Sequence, residues 1–135
     1  MFGTRRKYRQ KLGQRGENIA CDMLKSCGMK ILARNWRCKA GELDIVALDD
    51  DTIVFTEVKT TRYRRDFAPA ENLSFRQRRR NFNAAKVYLR ALDITGYPGR
   101  FDLIEVSLWW RIPVRTVHHR DYLPPLPARG DGDAV

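Results

Sequence analysis

Gly41-Glu42-Leu43-Asp44-Ile45-Val46-Ala47-Leu48 and Ile53-Val54-Phe55-Thr56-Glu57-Val58-Lys59 decide how this chain is read. Each stretch alternates as a β-strand does, and each carries acid where a buried strand is apolar. In the first, Leu43, Ile45 and Ala47 fall on one face, and Asp44 shares the other with Val46 and Leu48. In the second, Ile53, Phe55, Glu57 and Lys59 alternate onto one face, and Val54, Thr56 and Val58 onto the other. An unpaired carboxylate on such a face is costly to bury, so it wants a partner, often a metal. Asp49-Asp50-Asp51-Thr52 lies between the two stretches, a polar run of turn formers. A hairpin hinged there brings Asp44 and Glu57 together, with Lys59 beside them. Two hard oxygen ligands and a cation are the minimum for Mg²⁺-assisted attack on a phosphodiester. The pattern also fits a half-solvated hairpin whose polar face happens to carry these charges. The apolar neighbours on the same faces weigh against that.

Outward from the hairpin the order is legible. Residues 14–28 read as a helix with Ile19, Ala20, Met23, Leu24 and Cys27 as its apolar stripe, stopped by Gly28. A strand spans about 30–37. After the hairpin comes a polar, Arg-rich connection over 60–73. Phe82, Ala85, Leu89 and Leu92 mark a second helix over about 75–92, broken by Gly96, Pro98 and Gly99. Strands follow near 100–107 and 113–119. Pro124-Pro125-Leu126-Pro127 opens a stretch without periodicity. The order αβββαββ predicts an α/β fold with a mixed central sheet flanked by helices. It divides into a basic arm over 1–12, one domain over 13–120 and a Pro-rich tail over 121–135 expected to be disordered.

Asp44 followed by Glu57-Val58-Lys59 resembles the D…ExK core of the PD-(D/E)XK nuclease superfamily. Gly13-Gln14-Arg15-Gly16-Glu17, Ala20, Leu24, Gly28, Ile31-Leu32-Ala33-Arg34-Asn35-Trp36-Arg37 and Arg100-Phe101-Asp102 resemble the small bacterial YraN-like family, placed beside archaeal Holliday-junction resolvases. The likeness covers roughly residues 10–107. Leu43 stands where the superfamily's name has Pro, which resolvase-like members often lack. The resemblance implies a restriction-endonuclease-like αβββαβ core and a structure-selective DNA endonuclease dependent on Mg²⁺ or Mn²⁺. It implies Asp44 and Glu57 as metal ligands, joined by the backbone carbonyl of Val58, with Lys59 orienting the attacking water. Glu17 shares the core-facing stripe of the first helix; its local role is a helix-start acid, and the resemblance makes it a further ligand. Gln77 has two readings: the N3 residue of a capping box opened by Ser74, or a site residue. A non-catalytic nucleic-acid-binding subunit on a nuclease-like scaffold, and an RNase, both stay open.

The net charge is +10 with pI ≈ 10.0, and its distribution matters more than its size. Residues 1–15 hold Arg5, Arg6, Lys7, Arg9, Lys11 and Arg15 with no acid. Arg62, Arg64, Arg65, Arg76, Arg78, Arg79 and Arg80 form a second cluster. Arg is the planar, always-charged phosphate binder, so these residues, with Gln77, are the expected contacts to a nucleic acid, branched or flapped DNA by resemblance. No stretch approaches the ~18 apolar residues of a membrane span and no signal peptide opens the chain, so no membrane contact and a cytoplasmic location are expected. Cys21, Cys27 and Cys38 lack zinc spacing and suit a reducing compartment. His118 and His119 read as solvated or core residues, Asp102 as a partner for nearby Arg. Trp36, Trp109 and Trp110 belong more naturally to cores and interfaces than to base stacking. Symmetric cutting of a junction needs two sites, so a weak homodimer through Trp109 and Trp110 is expected.

Overall fold

The structure is a computed structural model and describes residues 2–63 and 74–123. The elements run α1 (Phe2–Ser26), β1 (Lys30–Cys38), β2 (Gly41–Asp49), β3 (Thr52–Arg62), α2 (Phe75–Ala91), β4 (Gly99–Trp109) and β5 (Ile112–Leu123). The strands form one sheet in the order β1-β2-β3-β4-β5. All neighbours are antiparallel except β3 and β4. Parallel neighbours need a long crossover, and α2 lies on that connection. This is the expected mixed α/β sheet of restriction-endonuclease-like type.

The sheet is buried on both faces. Ala20, Cys21 and Leu24 of α1 pack with Ile45, Ala47, Val54, Ile104, Val106 and Leu108. On the other face Ala84, Ala85, Tyr88 and Leu89 of α2 pack with Leu43, Val46, Ile53, Phe55 and Phe101. Trp36 meets Tyr88 edge-on at 5.3 Å, which makes it a packing residue of that second core. Cys27 is exposed and falls outside the stripe predicted for it. Cys21 takes the buried place instead.

Helix ends follow local chemistry. Past α1, the Gly28 N–H reaches Lys25 O at 2.9 Å and the Met29 N–H reaches Leu24 O at 3.0 Å, a Schellman motif closed by Gly28 at φ 88. The start of α1 differs from the expectation, since the helix opens at Phe2 and takes in the basic residues before 13. That segment is rich in Arg, Lys and Gln, good helix formers without an apolar stripe to betray them. After α2 the stop is Asp93, at φ 55, and not the Gly96–Gly99 run. Its N–H reaches Arg90 O and that of Ile94 reaches Leu89 O, the same motif with Asp in the glycine position. β3 and β5 extend beyond their predicted ends, to Arg62 and Leu123. Arg64, Arg65, the rest of the connection to residue 73, and residues 124–135 lie outside the described residues.

One departure from simple alternation shapes the functional end of the sheet. Leu43 belongs to the α2 core while Ile45 belongs to the α1 core, so the expected shared face of Leu43, Ile45 and Ala47 is broken. The cause is a fork. β2 and β3 pair from Asp49↔Thr52 as far as Ile45↔Thr56. Beyond that point each strand keeps only its outer neighbour: Leu43, Glu42 and Gly41 pair with Trp36, Arg37 and Cys38 of β1. Glu57 to Arg62 pair with Leu103 to Leu108 of β4.

Candidate active site at the strand fork

Asp44 and Glu57 stand at the mouth of the fork, and each side chain answers a local need. Val58 has lost its partner strand there, and Asp44 Oδ2 accepts the Val58 backbone N–H at 2.9 Å. An orphaned ladder donor is thereby satisfied by a carboxylate. Glu57 Oε1 accepts from Gln77 Nε2 at 2.8 Å. Glu42, Asp44 and Glu57 line a polar cavity of about 200 Å³ together with Gln77, Arg80 and Asn81 of α2.

Two glycines bring the helices close enough to take part. A Cβ on Gly41 would lie 2.7 Å from the Arg80 carbonyl oxygen, so only glycine lets β2 start against α2. A Cβ on Gly16 would overlap Thr60 Oγ1. That bare contact seats α1 on β3 and puts the next residue, Glu17, beside the fork.

The electrostatics are those of crowded, partly dehydrated acids. Glu57 is pushed up to about 9, first by burial, then by the Asp44 charge and by its hydrogen bond to Asp44; a contact from Asn81 opposes this. Asp44 is also raised, by burial first, with the Val58 N–H and the Glu57 hydrogen bond pulling the other way. Burial thus favours the protonated form of both carboxyls, and the Asp44 charge adds to this at Glu57. Glu17 is raised by burial and by the Asp44 charge, against contacts to Asn35 and Arg34. Its carboxylate lies 3.9 Å from Arg34.

The sequence expectations land unevenly. Asp44, Glu57 and Gln77 meet in one cavity, and Glu17 approaches it from the opposite helix. Gln77 serves both of its readings in part. Its backbone N–H caps onto Ser74 Oγ at 3.1 Å, while its side chain serves Glu57. Lys59 does not line the cavity; it lies two residues farther along β3, in register with Glu105 of β4. Arg80 lines it, whereas Arg76 and Arg79 are exposed and Arg78 half-buried on α2. Arg62 ends β3 with its guanidinium 5.7 Å from the centre of the Tyr8 ring. Glu42 lines the cavity as well and pairs with Arg37 at 3.3 Å.

Asn81 was missed by sequence reading. Its signal was an amide one helical turn after Gln77, on a face otherwise filled by alanines. Asp102 is fully buried between Arg100 at 3.1 Å and His118 at 2.8 Å, a structural knot that does not line the cavity. His119 pairs with Glu105.

The site suits a hard cation in donor chemistry. Asp44 and Glu57 supply oxygen only, and a Mg²⁺-like ion is commonly held by one or two carboxylates plus water. Among the described residues no three His, Cys, Asp or Glu side chains are gathered into a ready cage.

Residues 16–106 match the family described as "Uncharacterised protein family UPF0102". The chain belongs to this family. UPF0102 is the YraN-like, PD-(D/E)XK nuclease-like group that the sequence resembles. Proteins named "UPF0102 protein" include one from Nocardia farcinica, 43% identical over 100 residues, which cover 74% of this chain and 79% of the relative. One from Oleidesulfovibrio alaskensis is 46% identical over 101 residues, 75% of this chain but 50% of the relative, so the match spans only half of that protein. A third, from Clostridium botulinum, is 46% identical over 100 residues, 72% of this chain and 80% of the relative. The UPF0102 match takes in Glu17, Asp44, Glu57, Lys59, Gln77 and Asn81. No helix among the described residues is long and apolar enough to cross a membrane.

Proposed function

We propose that this chain is a divalent-metal-dependent endonuclease that hydrolyses phosphodiesters in branched or flapped DNA. The observation that carries the proposal is the meeting of Asp44 and Glu57, two partly dehydrated carboxyls, in one polar cavity at the fork of a strongly basic chain. Perturbed carboxyls gathered in a cavity are a recurrent sign of chemistry. Asp44 and Glu57 would hold Mg²⁺ or Mn²⁺, with the Val58 carbonyl and Glu17 completing the set directly or through water. The ion would supply charge stabilisation at the phosphoryl oxygens and an acidified water. Gln77 and Asn81 fix the Glu57 carboxyl by hydrogen bonding. Arg80 faces the entering phosphate. Lys59 orients water or steadies charge on the scissile phosphate once substrate is in place. The exposed arginines of α2 contact flanking phosphates and confer affinity without base identity.

One observation favours a second reading, a nucleic-acid-binding subunit without catalysis: Lys59 stands off the cavity. A cleavage panel of single-stranded, flapped, forked and four-way DNA, with RNA counterparts, in Mg²⁺ and Mn²⁺ separates the two. The expected result is metal-dependent cutting of branched DNA, abolished in Asp44→Asn/Glu57→Gln. Lys59→Ala should also lose cutting, by about 100-fold or more, while keeping DNA affinity within a few-fold. Tight binding without any cutting would establish the second reading.

A further inference from the structure

The turn between β4 and β5 is built against the usual preferences. Trp110 and Arg111 are its two residues, closed by the Trp109↔Ile112 pair. Trp110 has φ 58, a left-handed conformation that two-residue hairpins ordinarily give to Gly, Asn or Asp. Trp109 is 57% exposed and Trp110 75%, with Ile112 and Val114 also exposed beside them. Folding gains little from an indole displayed on a strained turn.

The surroundings say what would cover these rings. Arg15 Nε of α1 donates to the Arg111 carbonyl at 3.2 Å, so α1 runs alongside the turn. Tyr63 donates its N–H to Leu108 O at 2.8 Å, which brings the exposed end of β3, with Arg62 over Tyr8, to the same place. The three segments that meet here, residues 5–16, 59–63 and 106–117, hold six, two and two Lys or Arg and not one Asp or Glu. A second copy packed two-fold on this surface would set like charge against like. A nucleic-acid strand complements it, because bases stack on indoles and phosphates meet the cations.

We propose that this end of the sheet is a stacking platform for unpaired bases. Trp109 and Trp110 receive the bases, and Arg15 and Arg62 hold the flanking phosphates. The preference for flaps and branches in the proposed function then has a source, since only such DNA offers unstacked bases. From Glu57 to Arg62 is five strand steps, about 17 Å at about 3.3 Å each. That corresponds to roughly five nucleotide steps of about 3.4 Å. This spacing rests on the nuclease reading and places the cut about five nucleotides from the unpaired region; the stacking itself does not depend on cleavage.

The test uses the full chain in EDTA, so that binding is read without chemistry. The probe is a DNA duplex bearing a short single-stranded flap with 2-aminopurine in the flap, beside a plain duplex of equal length. The parent protein should quench the flap fluorophore and bind flapped DNA about ten-fold more tightly than duplex. Trp109→Ala/Trp110→Ala should lose the quench and most of the preference, with duplex affinity within about two-fold. Trp110→Gly suits the turn and guards against misfolding; it should lose part of both signals. Unchanged quenching and preference in both variants would overturn the proposal. So would a DNA-free dimer in sedimentation that dissolves in the variants while flap preference survives, since the tip would then belong to a second copy. A quench that depends on the tryptophans, from a protein that never cuts in Mn²⁺, would uphold the platform and refute the nuclease.

Discussion

At the scale of single residues the raised value of Glu57 is the feature with the clearest consequences. Glu57 has an ordinary value near 4.5 and sits near 9 in the folded protein. Below about pH 4.5 both folded and unfolded chains carry the proton. Between 4.5 and 9 the unfolded chain releases it while the folded chain retains it, so stability falls as pH rises through that window. Asp44, also raised, adds to the same trend. Glu57→Gln removes the Glu57 contribution while keeping a hydrogen-bonding partner for Gln77. It should match the parent near pH 4.5 and grow steadily more stable than it toward pH 9, by upward of about 1 kcal/mol at pH 8–9. Urea midpoints at three pH values, in EDTA, measure it; a parent that gains stability toward pH 9 would contradict the assignment. These two residues were legible in sequence because a carboxylate among alternating apolar residues is conspicuous. Asn81 and Glu42 were not, because an amide in a polar helix and an acid at a strand's start look ordinary until the cavity joins them.

At the scale of elements, close backbone approaches and caps set where the helices sit. Gly41→Ala would press a methyl against the Arg80 carbonyl, which belongs to a helix and cannot swing aside. A cost of about 1–3 kcal/mol is expected. Because the displaced helix carries Gln77 and Asn81, Mn²⁺ binding measured by calorimetry should weaken as well. Asp93→Gly should do the reverse for stability. It places glycine where φ is 55 and relieves about 1 kcal/mol of left-handed strain, raising the melting temperature by a few degrees. Alternation and turn residues made β1, β2 and β3 readable, and helical spacing did the same for α2. The first turns of α1 escaped because their helicity rests on propensity without an apolar face. The fork escaped because the pattern of residues 43–47 continues straight through it; the break comes from β2 and β3 following different neighbours, a tertiary cause.

At the scale of the whole molecule, acids gather at the fork, met there by Arg34, Arg37 and Arg80, while most of the basic residues lie along other segments. The fork concentrates Glu17, Glu42, Asp44 and Glu57, while the α2 arginines and the first half of α1 carry much of the positive charge. Nucleic acid drawn to the cations would lay a phosphate across the acids only when a divalent ion bridges them. Replacing Arg76, Arg78 and Arg79 with Ala should weaken duplex binding and lower the slope of log K against log salt by roughly one unit per lost phosphate contact. Fluorescence anisotropy between 50 and 200 mM salt would read it. An unchanged slope would remove this face of α2 from the DNA path. Charge and its clustering were visible from sequence; the convergence of α1, β3 and the Trp109–Trp110 turn was not, since it joins segments nearly a hundred residues apart.

The fork also sets a clock. An amide inside a ladder exchanges its hydrogen for deuterium only when the ladder opens, whereas one facing a gap has no such guard. Val58 faces the gap and is guarded by a single side chain, Asp44. Its exchange should therefore be faster than that of Val54 in the paired part of the same strand. Asp44→Asn, a weaker acceptor, should speed it by about ten-fold. A divalent cation that keeps Asp44 ionised and in place should slow it. Deuterium uptake at one amide would thus report occupancy of the fork without any substrate present, and an uptake rate indifferent to both changes would mean that Val58 is protected by something other than Asp44.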